Sequence, residues 1–139
     1  MYQNLLGIGM KKIALAIIGL SVVTAGYCGV GEETGNTTCY IYKDNKLAQT
    51  VKCKYNYTEG ASSSYNFRYV TYTAKAFGKI ETSSDYDEAG DVITLNSKPA
   101  IEQYRHPKTK KIVSDEYAQS GKDTLSCYKN IKTKFEICS

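Results

Sequence analysis

The sequence contains no tryptophan, one histidine, three phenylalanines and two prolines. The single histidine limits nucleophilic catalysis, because a catalytic triad needs an imidazole between its nucleophile and its carboxylate. That residue, His106, precedes Pro107 in a basic turn, and the chain lacks the Gly-x-Ser-x-Gly motif of serine hydrolases. A triad hydrolase is therefore not the expected class, and no catalytic residue is predicted.

The spacing of cysteines and glycines also argues against a bound metal or nucleotide. Structural zinc sites place paired ligands about two to four residues apart. Here 13 residues separate Cys39 from Cys53, and 10 separate Cys127 from Cys138. Gly29-Val30-Gly31 does not stand between a strand and a helix, as a dinucleotide-binding loop would. We therefore expect no metal and no cofactor.

Residues 1–25 have the pattern of a signal peptide. Two lysines precede an uncharged apolar run of eleven residues, Ile13–Val23, which is shorter than the roughly 20 residues that span a bilayer. Val23-Thr24-Ala25 then offers the small residues of a cleavage site. A buried core helix or an uncleaved anchor is the alternative interpretation, and Met10 is an alternative start.

Removal of this peptide leaves a nearly neutral chain. Two of the 18 basic residues belong to the peptide, so 16 basic residues face 14 acidic ones, a net charge of +2. Bulk charge therefore does not favour nucleic acid as a partner. Lysines interleaved with tyrosines in residues 98–134 also fit an anionic envelope surface, or the protected outer face of a sheet.

An exported chain matures where thiols oxidise, so disulfides are expected. The pairs Cys39–Cys53 and Cys127–Cys138 each enclose a predicted turn, and this local pairing is favoured. Four cysteines allow three connectivities, so a crossed arrangement stays open. Each local bridge would stabilise the fold by roughly 3 kcal/mol in the chain-entropy model.

The fifth cysteine, Cys28, lies three residues after the predicted cleavage site. Acylation of Cys28, as in a lipoprotein, would leave an even number of thiols. However, Tyr27 stands where lipoprotein signals carry a small residue. A free or intermolecularly paired thiol is therefore the default interpretation, and membrane association is expected only if Cys28 is acylated.

The remaining chain divides into a flexible tether, residues 26–38, and a single disulfide-stabilised β domain, residues 39–139. Six to eight short strands alternate with turn residues, which predicts an all-β fold, either a small antiparallel β-sandwich or a barrel. One short helical turn is expected at Asp115–Lys122. Twelve tyrosines follow the signal peptide, and tyrosine suits half-buried sheet faces.

The strongest strand signal is Tyr65–Ile80, which is rich in aromatic and β-branched residues. Its alternation changes parity near Tyr69 and Val70, which predicts a bulge or a strand buried on both faces. The following segment, Glu81–Asp91, is predicted to be an acidic loop.

Tyrosine is favoured at interface hot spots, so this acidic loop is the predicted contact surface for a partner. The residues expected to make contact are Asp85, Tyr86, Asp87 and Asp91. The loop also imitates a calcium-binding loop in part, but it fails at two ligand positions, Ala89 and Asn96. A solvated turn is the better interpretation.

Three classes of function remain. The favoured one is a small, non-enzymatic binding protein of the bacterial envelope, periplasmic or secreted, whose partner is another protein, as for an inhibitor or immunity factor. One alternative is a structural or surface-associated envelope protein, a lipoprotein if Cys28 is acylated. The other is a small hydrolase with an unrecognised carboxylate site. The sequence leaves the oligomeric state open.

Overall fold

The computed structural model of the chain describes residues 30–62 and 65–139. They form nine strands and one helix: β1 (Val30–Lys43), β2 (Lys46–Ala61), β3 (Tyr65–Ala74), β4 (Gly78–Asp87), β5 (Gly90–Leu95), β6 (Lys98–Arg105), β7 (Ile112–Val113), α1 (Asp115–Gln119), β8 (Leu125–Asn130) and β9 (Phe135–Cys138). The predicted signal peptide and Cys28 lie outside the described residues. Within them, no helix has the length and hydrophobicity to cross a membrane.

All nine strands belong to one antiparallel sheet, in the order β5-β4-β3-β2-β1-β9-β8-β6-β7. The sheet curls until β5 meets β6 over two residue pairs, Thr94 with Pro99 and Leu95 with Lys98. Beyond these pairs the two halves diverge, so the sheet is not a closed barrel. The predicted all-β antiparallel class is confirmed. The predicted count of six to eight strands and the barrel alternative are wrong.

Strand pairing extends into segments predicted to be irregular. β1 begins at Val30, inside the predicted tether of residues 26–38, and pairs with β2 along its length. β2 extends to Ala61, and the predicted acidic loop Glu81–Asp91 instead contributes to the β4–β5 hairpin. These segments are polar, but pairing satisfies their backbone N–H and C=O groups without requiring apolar side chains.

β3 keeps one register against both of its neighbours, so the bulge predicted near Tyr69 and Val70 is wrong. Tyr65 and Tyr69 are exposed on its outer face, whereas Val70 and Tyr72 are buried on its inner face. The apparent change of parity arises because large residues move from one face of a regular strand to the other. A register shift occurs instead in the β1–β2 pairing between Ile41 and Tyr42, where β2 carries one extra residue, Ala48.

Consecutive hairpin turns of an antiparallel sheet alternate between its two ends. The β1–β2, β3–β4, β5–β6 and β8–β9 turns therefore lie at one end, and the β2–β3 and β4–β5 turns lie at the other. Two turns of the first group have positive φ at both central residues, Asp44 (49°) with Asn45 (63°) and Asn96 (50°) with Ser97 (63°). Such two-residue turns match the natural twist of the strands they join.

The inner face of the curled sheet holds the main hydrophobic core. Its buried aliphatic residues come from six strands and are Ile41, Val70, Ile80, Leu95, Ala100 and Ile137. The Cys39–Cys53 disulfide lies in this core and joins β1 to β2, with Cα atoms 5.9 Å apart. A covalent link inside the core compensates for the small number of large apolar side chains.

A second, smaller cluster covers the outer face where β1, β8 and β9 meet. The Cys127–Cys138 disulfide joins directly opposite residues of β8 and β9, with Cα atoms 4.1 Å apart. The turn after β6 packs against this face, with Lys110 Nζ 4.0 Å from the ring centroid of Tyr40. Both disulfides join the locally favoured pairs. Two disulfides fit an oxidising location, periplasmic or extracellular.

The segment between β6 and β8 contains α1, at the position of the predicted helical turn. The Ser114 side chain caps this helix by accepting a hydrogen bond from the backbone N–H of Tyr117, which satisfies one of the free donors of the first turn.

Candidate functional site

The inner face becomes polar at the end where the two halves of the sheet diverge. Glu102 on β6 accepts hydrogen bonds from the hydroxyls of Tyr86 (2.7 Å) and Tyr104 (3.4 Å). Its Oε1 also lies 3.4 Å from Nη1 of Arg68 on β3. These contacts cross the interior and join β3 and β4 to β6.

Two hydroxyl pairs make further links of this kind. The hydroxyls of Ser84 and Tyr128 lie 2.8 Å apart, and those of Tyr72 and Ser139 also lie 2.8 Å apart. Tyrosine suits this role because its ring packs in the core while its hydroxyl reaches a polar partner. The diverging halves of the sheet are therefore held together by polar contacts instead of backbone pairing.

Burial is the main influence on the pKa of the tyrosines in this group of polar side chains on the inner face. It raises the pKa of Tyr86 to about 12, and the hydrogen bond to Glu102 adds to the rise. Burial also raises the pKa of Tyr128. Burial alone would lower the pKa of Arg68, but the neighbouring Tyr128, Tyr57 and Glu102 raise it. At neutral pH these tyrosines are uncharged and Arg68 is cationic.

A cavity of about 350 Å³ lies beside the cluster, between β1–β3 and the ends of β8 and β9. Tyrosines, serines and Arg68 supply most of its lining. Carboxylate-based glycoside hydrolysis needs two carboxyl groups about 5–9.5 Å apart. Glu102 is adjacent to the cavity, and Glu33 and Glu59 accept hydrogen bonds from the lining tyrosines Tyr55 and Tyr57. The buried Glu136 lies on the opposite face of the sheet.

Glu136 is instead held in an ion pair. It accepts hydrogen bonds from Nε and Nη2 of Arg105, each 2.8 Å long, and from Nε2 of Gln103 at 3.0 Å. The remaining guanidinium nitrogen, Nη1, donates to the carbonyl of Lys110 at 2.8 Å. The hydrogen bond to Glu136 raises the pKa of Arg105. This pair fixes the turn after β6 to the sheet, a structural role.

The side chains of Cys127, Glu136 and Cys138 also lie close enough together to resemble a metal-ligand set, within 4.8 Å. Both sulfurs are bonded to each other, however, so neither offers a thiolate. The carboxylate oxygens of Glu136 already accept from Arg105 and Gln103. These three residues are therefore unsuited to hold an ion in the oxidised protein.

The four predicted contact residues lie on the β4–β5 hairpin, but they divide between its two faces. Asp85 and Asp87 share the outer face, whereas Tyr86 is directly opposite Asp91 and faces the interior with it. Asp87 accepts a hydrogen bond from the backbone N–H of Ala89 and so stabilises the turn. Acidic groups on opposite faces do not converge as a calcium loop requires.

Three aromatic rings form a row on the outer face of β3, beside Asp85, in which Tyr65 and Tyr69 are exposed and Phe67 is half-buried. The ring centroids of Tyr65 and Phe67 are 5.7 Å apart, and those of Phe67 and Tyr69 are 5.3 Å apart. The Tyr65 hydroxyl donates to Asp85 at 3.1 Å. The ring of Phe67 packs directly on the backbone of Gly60 in β2, because glycine has no side chain to occupy that space. We call Tyr65, Phe67 and Tyr69 the aromatic row.

The aromatic row belongs to a strongly acidic part of the sheet. Strand pairing brings together residues 30–33, 57–62, 65–69 and 84–92, which we call the acidic end. It contains seven acidic residues and one basic residue, Arg68. The acidic residues are Glu32, Glu33, Glu59, Asp85, Asp87, Glu88 and Asp91.

The sequence predicts the acidic segment Glu81–Asp91, as a loop, but two features of the site are not predicted. The alternation of the aromatic row with Asn66 and Arg68 is the signal of one shared face, whereas the prediction for this strand is a bulge or burial on both faces. The contact between Arg68 and Glu102 joins residues 34 positions apart, and no local pattern identifies such a pair.

No protein-family model matches the chain, and no similar curated protein or solved structure was found. The functional interpretation therefore depends on the geometry described above.

Proposed function

We propose that the protein is a small, non-enzymatic binding protein, exported to the bacterial periplasm or secreted, that binds another protein through its acidic end. The observation that carries this proposal is the aromatic row, in which Tyr65 is 38% and Tyr69 is 44% exposed, lying directly beside Asp85 and Asp87. Exposed aromatic side chains of this size are typical of binding surfaces.

The surroundings of the row support a protein partner with a basic surface. Seven acidic residues at one end of a small sheet attract cationic groups over a range of several ångströms. The row also occupies the first half of β3, a strand that lies between β2 and β4. Its side chains therefore lose little conformational freedom when a partner binds.

Two further observations concern export and the chemistry of the inner cavity. The predicted signal peptide and the two disulfides both fit an exported protein. Beside the inner cavity, the carboxylates of Glu102, Glu33 and Glu59 each accept a hydrogen bond from a tyrosine hydroxyl, so they are engaged in contacts within the fold. Acylation of Cys28 stays a prediction.

A matched pair of variants tests the proposal. The double variant Asp85→Asn, Asp87→Asn removes two charges from the outer face of the acidic end. Its control, Asp115→Asn with Asp123→Asn, removes two exposed charges from the segment between β6 and β8. Envelope extract of the producing bacterium is passed over each immobilised protein, and the partner retained by the wild type is quantified. We expect the first variant to bind it about tenfold more weakly, and the control variant to retain it.

The same experiment can contradict the proposal. If the wild type retains no specific protein, or if the double variant binds the partner as tightly as the wild type does, the acidic end is not the binding surface. Circular dichroism of both variants serves as the control for folding.

A further inference from the structure

Three hairpin turns meet at the end of the sheet opposite the acidic end. Lys129 Nζ on β8 donates to Oδ1 of Asn45 at 2.7 Å, which joins the β8–β9 hairpin to the β1–β2 turn. The backbone N–H of Ile131 donates to the carbonyl of Pro99 at 3.2 Å, which joins the same hairpin to β6. The three turns therefore form one continuous surface.

We call this surface, residues 43–47, 96–99 and 129–134, the lysine end. It contains six lysines and a single acidic residue, Asp44. The lysines are Lys43, Lys46, Lys98, Lys129, Lys132 and Lys134. Two aliphatic side chains project from the same turns, Leu47 at 47% exposure and Ile131 at 50%. The surface is thus cationic with apolar side chains near its tips.

The two ends give the domain a pronounced charge asymmetry. Net charge is +5 over the lysine end and −6 over the acidic end, although the chain after residue 25 is nearly neutral. Because hairpin turns alternate between the ends of an antiparallel sheet, charges that are mixed along the sequence are separated in space. A molecule with this asymmetry orients itself when it approaches a charged surface.

We propose that the lysine end docks on an anionic phospholipid surface, with Leu47 and Ile131 entering the headgroup region. Each lysine close to such a membrane strengthens binding by about fivefold, and the two aliphatic side chains add apolar contact with the lipid. A nucleic acid would use the lysines but would leave both aliphatic tips without a partner. Docking in this orientation directs the acidic end away from the membrane.

The proposal does not depend on acylation of Cys28 or on the partner of the acidic end. It is tested by co-sedimentation with vesicles of phosphatidylcholine that contain roughly one third phosphatidylglycerol. We expect the protein to bind these vesicles, to ignore pure phosphatidylcholine, and to dissociate as salt is added.

Two triple variants give a matched comparison. The first, Lys46→Gln, Lys132→Gln, Lys134→Gln, removes three exposed charges from the lysine end. The second removes three exposed charges from the segment between β6 and β8, and its substitutions are Lys108→Gln, Lys111→Gln and Lys122→Gln. We expect the first to weaken vesicle binding about 100-fold and the second to change it only slightly.

A charge-preserving variant, Leu47→Ser with Ile131→Ser, distinguishes binding to lipid from binding to other polyanions. We expect it to weaken vesicle binding and to leave retention on a heparin column unchanged. The proposal is overturned if the wild type does not bind the anionic vesicles, or if both triple variants lose binding equally. It is also overturned if the serine variant binds vesicles as tightly as the wild type, because the lysine end is then a general polyanion site.

Discussion

The buried ion pair between Arg105 and Glu136 allows a quantitative prediction. Arg105 is 4% exposed and Glu136 is fully buried, and the carboxylate accepts two hydrogen bonds from the guanidinium. Glu136→Gln keeps the size of the side chain but removes its charge and leaves Arg105 buried without a counterion. Breaking one partner of a buried pair costs about 3–5 kcal/mol, a large part of the roughly 5–15 kcal/mol that stabilises a typical domain.

The double variant Arg105→Met, Glu136→Leu removes both charges, so it distinguishes the net contribution of the ion pair from the cost of leaving one buried charge unpaired. Replacing both partners by apolar side chains of similar volume is close to neutral in other buried pairs. Here the carbonyl of Lys110 loses its donor and the Gln103 amide loses its acceptor, so we expect a loss of about 1–2 kcal/mol. Urea denaturation followed by circular dichroism, with disulfides intact, gives the free energy of unfolding of each variant. A loss below about 1 kcal/mol for Glu136→Gln, or an equal loss for both variants, would refute the reasoning.

Three further predictions concern the interior, the aromatic row and the disulfides. Alkaline pH destabilises the fold, because Tyr86 ionises near 12 when folded and near 10 when unfolded. Stability present below pH about 10 is thus lost as the pH rises towards 12, and we expect thermal melts of Tyr86→Phe to show a weaker loss. Gly60→Ala places a methyl group against the ring of Phe67 and costs about 1–3 kcal/mol in urea denaturation. Adding Phe67→Ala removes that clash, and a Gly60→Ala variant as stable as the wild type would contradict the contact. We expect intact mass spectrometry of the native protein to give a chain that starts near residue 26 and gains two hydrogens on reduction for each of its two bridges, whereas a full-length chain with free thiols would contradict export.

The sequence predicts the all-β class and favours the local disulfide pairing, because both depend on short-range patterns. Asp44 and Asn45 are residues that tolerate positive φ, so the turn they form between Cys39 and Cys53 is visible in the sequence. Strand ends are harder to predict. Polar segments such as residues 30–38 become strands because a neighbouring strand supplies hydrogen-bond partners, and that neighbour is known only from the topology.

The acidic end and the lysine end also depend on strand topology, which the sequence alone does not reveal. The acidic hairpin is visible as a run of charges, but the division of Asp85 and Asp91 between two faces follows from strand pairing. The near-neutral total charge hides the lysine end, since its lysines are distributed over three turns that are distant in sequence. Charge segregation of this kind is a property of the topology and is not encoded in any single segment.

The most direct test of the proposed function is photo-crosslinking in the producing bacterium. A benzophenone amino acid replaces Tyr69 in the aromatic row, which is 44% exposed, or Ile112 on β7 as a control, which is 52% exposed. We expect irradiation to join the probe at position 69 to a discrete protein partner and to give no such product at position 112. A product at position 112 with none at position 69 would contradict the assignment of the acidic end as the binding surface.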